Sequence, residues 1–78
     1  MHVHVRYFAV LRERKGCTEE AVTLTEPTTV AALYSALFPP TDSGALPVMY
    51  AVNEAYVSSD HVLASGDEVA FIPPLGGG

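Results

Sequence analysis

The residues best placed to do chemistry are Gly76, Gly77 and Gly78, the end of "FIPPLGGG". Glycine carries no Cβ, so three in a row make the thinnest backbone a polypeptide can offer, and Gly78 brings an α-carboxylate to its tip. A narrow channel in another protein could admit a carboxylate so presented without steric conflict. Pro73 and Pro74 fix φ near −65° and favour an extended path, which stiffens the root of the tail. Pro74 to Gly78 then span roughly 17 Å at full extension. Ordering those five residues costs roughly 5 to 10 kcal/mol, so a docking surface elsewhere on the globule must offset it.

The other candidates carry less. His2 and His4 share a strand face about 7 Å apart along the chain, and His61 could join them; three imidazoles suit zinc. His2 and His4 have no carboxylate or cysteine near them in sequence to complete a ligand set, so they read as solvated and no metal is expected. Ser58, Ser59, Asp60 and His61 are the residue types of a hydrolase triad, but neighbours in sequence do not build its geometry and no GxSxG elbow is present. Glu19-Glu20 and Asp67-Glu68 are adjacent pairs whose members point to opposite faces of a strand, and they read as solvated turn charges. The terminal glycines have no lysine or helix after them to make a phosphate loop. Cys17 is the single cysteine and cannot close an internal disulfide; Lys15 nearby could lower its pKa, but a turn cysteine beside Gly16 reads as incidental.

The elements that must position the tail follow from periodicity. "HVHVRYFAV" alternates at period two, with Val3, Val5 and Tyr7 facing one way and His2, His4, Arg6 and Phe8 the other. "LRERKG" predicts a charged turn or short helix ending on Gly16, a connection long enough to be a candidate functional loop. "EEAVTLTEP" predicts a second strand with Ala21 or Val22, and Leu24, inward. "TTVAALYSALFPP" predicts the main helix: Val30, Leu33, Tyr34 and Leu37 share a face, Thr28 or Thr29 caps it, and Pro39 and Pro40 end it. "PVMYAVN" and "AYV" predict two strands meeting at Asn53-Glu54, and Val69 and Phe71 mark the inner face of a last strand. The sum is an α+β layer pair with a mixed sheet, its first and last strands adjacent in the middle and one main helix on one face. By the same parity Phe8, Ile72 and Tyr56 point outward, and an exposed apolar sheet face is a candidate partner site.

Composition sets outer limits. Seventy-eight residues, 49% of them hydrophobic and 17% charged, fit one domain over 1–78 with a flexible tail over 74–78 rather than a disordered chain. Nine acidic against four basic side chains give a net charge of −5, which disfavours nucleic acid as a partner. No apolar run of about 18 residues and no leader pattern is present, so a cytoplasmic location and no membrane partner are expected.

The segments "VRYFAVLRE", "TVAAL", "AVNEAYV" and "SGDEVAFIPPLGGG", together with the length, resemble the small subunits of molybdopterin synthase, a family of ubiquitin-like β-grasp sulfur carriers. "GDEVAFIPP" followed by two residues and Gly-Gly is the most specific part; Gly76 departs from the pattern. The resemblance implies that an activating enzyme uses MgATP to adenylate the Gly78 carboxylate and that a sulfur donor converts it to a thiocarboxylate. The tail then enters the large synthase subunit and delivers sulfur to cyclic pyranopterin monophosphate. It makes Gly77 and Gly78 the reactive end, Phe8, Tyr56, Ile72, Pro73, Pro74 and Leu75 the partner-binding residues, and the chain a carrier with no bound cofactor and no complete active site of its own. Carriage of sulfur for thiamine or tRNA thiolation, protein modification through Gly78, and a β-grasp interaction module with an idle tail are the alternatives.

Overall fold

The computed structural model describes residues 1–39 and 47–73. Strand β1 (His2–Tyr7) leads into helix α1 (Ala9–Lys15), strand β2 (Glu19–Thr23) and helix α2 (Val30–Leu37); β3 (Met49–Val52), β4 (Ala55–Val57) and β5 (Glu68–Ile72) follow. The strands form one mixed sheet in the order β2-β1-β5-β3-β4. β1 pairs antiparallel with β2 and parallel with β5, placing Val5 beside Val69 and Tyr7 beside Phe71. The first and last strands are thus adjacent at the centre, as the alternation predicts.

That register sorts the side chains. Val3, Val5, Tyr7, Val69 and Phe71 are buried, with Leu11 from α1 and Val30, Leu33 and Tyr34 from α2 in the same cluster. Phe71 is fully buried, and Tyr34 meets both its ring and that of Phe38, at 5.0 and 5.4 Å between centroids. Aromatic contacts of this kind add about 0.5–1.5 kcal/mol each beyond the area they bury, which ties α2 to the strand that carries the tail. Thr29 caps α2, its hydroxyl accepting from the Ala32 N–H at 3.1 Å. Thr28 instead donates to the Glu26 carbonyl.

Two open alternatives resolve and one expectation changes. "LRERKG" is a helix, closed by Gly16 in the left-handed region at φ 76° with its N–H on the Arg12 carbonyl. Of the two candidates for the inner face of β2, Val22 packs on the core and Ala21 is exposed. The acidic pairs are bonded rather than merely solvated: Glu20 accepts the Tyr7 hydroxyl and sits 3.3 Å from Lys15, and Glu19 lies 3.1 Å from His4. Asp67 and Glu68 are taken up below.

Candidate functional site

One face of the sheet carries the helices. On the opposite face Phe8, Ala51, Tyr56, Ala70 and Ile72 surround a depression of about 220 Å³, with Arg6, Glu54 and Glu68 around it. The register builds it. Arg6 lies beside Ala70, Ala70 beside Ala51, and Ala51 beside Tyr56, so two alanines floor a groove whose walls are larger side chains. Tyr56 is 67% exposed and Phe8 39%, while Ile72 is half-buried. Large apolar side chains left open around small ones invite a complementary surface.

Phe8, Tyr56 and Ile72, singled out by parity, therefore come together. Parity reasoning missed the alanine floor, although Ala70 stands between Val69 and Phe71 and its direction was readable. It also missed Met49, which pairs with Ile72 and is 54% exposed. The charged rim depends on cross-strand register, which a single strand does not reveal.

Phe8 is held at the junction of β1 and α1, where its extended backbone begins the helix and its carbonyl accepts from Leu11. Tyr56 is placed by the turn before it. Asn53 and Glu54 both have positive φ, at 52° and 69°, as the tightest hairpin turns require. Asn53 fastens that turn to the start of β5: its side-chain amide donates to Asp67 at 3.0 Å, and its carbonyl oxygen accepts the Glu68 N–H at 2.9 Å. Asp67 also accepts the Ala64 N–H. The Asp67-Glu68 pair is thus a structural clamp, because the hairpin can hold Tyr56 over the groove only if it is anchored to β5.

The charges of the face are specific. Arg6 lies 3.5 Å from Glu68, and its guanidinium stands 5.8 Å from the centre of the Phe8 ring. On the helix side, burial and then the Glu20 hydrogen bond push the Tyr7 hydroxyl well above its ordinary pKa. The same bond, helped by Lys15, holds Glu20 below the ordinary carboxylate value.

The histidines do not converge. His2 faces Thr23 and His4 faces Glu19, each across β1–β2, so a carboxylate that is distant in sequence reaches His4. His61 and its neighbours serve α2, the His61 and Ser59 carbonyls accepting from Val30 and Ala31 at the start of the helix. Ser58 donates to Asp60. Among the described residues no group of three or more His, Cys, Asp and Glu side chains could hold a metal ion. Cys17 is half-buried against the core. Ile72 and Pro73 are the last described residues of β5 and its exit; Pro74, Leu75, Gly77 and Gly78 lie outside the described residues. No described helix is long and apolar enough to cross a membrane.

Comparison with known proteins agrees with this architecture. A sequence model of the ThiS family matches residues 5–78. The molybdopterin synthase sulfur carrier subunit of Escherichia coli (strain K12) is 41% identical over 81 aligned positions, covering 97% of this chain and 99% of that protein. The protein of the same name from Chlamydomonas reinhardtii is 37% identical, with both chains fully covered. The crystal structure of small archaeal modifier protein 1 from H. volcanii superposes with a TM-score of 0.79 at 26% identity, over 95% of this chain and 98% of the other.

Proposed function

The chain belongs to the ThiS family, and from that membership we propose that it is the sulfur carrier subunit of a molybdopterin synthase. The observation that carries this reading is the 41% identity to a sulfur carrier subunit over 97% of the chain. A protein named as one subunit of a synthase needs another, which supports a large subunit as the partner. The sheet face offers it a seat.

In this reading a separate activating enzyme, using MgATP, adenylates Gly78. A carboxylate oxygen bonds to the α-phosphorus of ATP as pyrophosphate leaves, making the acyl carbon electrophilic. Hydrosulfide supplied by a sulfur donor then bonds that carbon as AMP departs, leaving a thiocarboxylate and a proton. Phe8, Tyr56 and Ile72 seat the globule on the large subunit, while Pro73, Pro74 and Leu75 direct the tail into its pocket. Gly77 stays narrow enough for passage, and the terminal sulfur attacks cyclic pyranopterin monophosphate to begin the dithiolene. Water then cleaves the acyl–sulfur bond, so the sulfur stays on the pterin and the Gly78 carboxylate is regenerated. Bond making to the pterin belongs to the large subunit's pocket; this chain supplies reach, orientation and the sulfur.

Complementation tests the pathway. The gene should restore molybdopterin synthesis to a strain lacking its own carrier and leave a thiamine auxotroph unrescued, whereas the reverse pattern would move the carrier to thiazole formation. The likeness to a small archaeal modifier favours a second reading, attachment to target lysines through Gly78. That reading requires isopeptide-linked ladders on a denaturing gel when a full activating system is supplied.

A further inference from the structure

The sheet face is apolar at its centre and acidic at its rim, and the rim's two carboxylates are unevenly neutralised. Glu68 has Arg6 at 3.5 Å. Glu54, exposed beside Tyr56, has no cationic partner among the described residues. All four basic side chains lie between Arg6 and Lys15 in sequence, and only Arg6 reaches this groove. An unpaired carboxylate therefore stands at the edge of an apolar surface that another protein would dry on contact. Its backbone sharpens the point. Glu54 occupies the second position of the hairpin turn at φ 69°, where glycine is the favoured residue and a side chain is strained.

Resting on the reading of this face as the docking surface, we propose that Glu54 is a specificity residue that pairs with a lysine or arginine on the partner. The fitting occupant is a folded protein with an apolar ridge for the alanine-floored groove and a basic side chain opposite the turn. A charge at such a rim acts mainly on encounter: it attracts the complementary patch over about a Debye length, raises the association rate and fixes register. Tyr56, by contrast, loses exposed apolar area on docking and governs how long the complex lasts. The two neighbours thus divide recognition between approach and retention, and an acidic polymer is turned away.

Stopped-flow association of the full chain with the purified large synthase subunit, over a range of salt concentrations, tests this. Glu54→Gln should slow association several-fold at low salt, flatten its salt dependence and leave dissociation nearly unchanged. Glu54→Gly should do the same while raising the melting temperature, because it also relieves the turn. Tyr56→Ala should instead speed dissociation at least tenfold. If Tyr56→Ala acts as expected but Glu54→Gln alters neither the association rate nor its salt dependence, the charge-pairing proposal is overturned and the docking face stands. If Tyr56→Ala leaves dissociation untouched, the docking face itself is wrong and the inference falls with it.

Discussion

At the scale of single residues, the molecule separates side chains that hold the fold from those that are open to a partner. Tyr7, Glu20 and Lys15 belong to the first group, joining β1, β2 and the end of α1 in one polar contact over the core. Because Glu20 is held below its ordinary value of 4.5, its contribution is complete above that value and lost as pH falls through the lower folded value. Denaturant unfolding should therefore show wild type more stable than Glu20→Gln near neutral pH, with the two converging in acid. Tyr7 has the opposite sign: its hydroxyl is raised, so its contribution holds below the ordinary tyrosine pKa of 10.0 and declines as pH climbs beyond it. A gap between the variants that stayed constant into acid would mean that Glu20 acts through packing and not through its charge. His4 shows the limit of reading neighbours in sequence. Its carboxylate partner, Glu19, is fifteen positions away and is brought beside it by the β1–β2 register.

Among the elements, strands were legible because period-two alternation states directly which side chains face inward. Val3, Val5 and Tyr7 fall to the core as that pattern requires. Helix α1 was only half legible: "LRERK" has a single buried anchor, Leu11, and seven residues give too little periodicity to separate a helix from a charged turn. What fixes it is Gly16. A Cβ added there would meet nothing within 4 Å, so the demand for glycine comes from the backbone at φ 76° alone. Gly16→Ala should accordingly cost about 1–2 kcal/mol in chemical denaturation without disturbing the core. A loss near zero would show that the left-handed cap is not needed to turn the chain from α1 into β2. A harsher change lies in β5, where Phe71→Ala opens a cavity under Tyr34 and Tyr50 and should cost about 3–5 kcal/mol.

The whole molecule places apolar mass on one side of a sheet and an open groove of about 220 Å³ on the other, with the strand that leads into the tail at the sheet's centre. Phe71 and Ile72 are consecutive, yet one is sealed beneath the helices and the other opens onto the groove, so β5 links the core to the candidate docking face. The outward direction of Phe8, Tyr56 and Ile72 was readable from parity. The nearness of Phe8 and Ile72 followed from expecting the first and last strands side by side; the place of Tyr56 beside them is fixed by β3 and β4 lying next to β5, an order that no local pattern encodes. The proposed function rests on chemistry at Gly78, so the most direct measurement is the intact mass of the chain after incubation with activating enzyme, MgATP and a sulfur donor. The account predicts a gain equal to sulfur replacing one oxygen, dependent on ATP, lost when Gly78 is deleted, and followed by failure of loading or transfer when Gly77 is made valine. An unchanged mass under those conditions, or the same gain in a chain lacking Gly78, would contradict it.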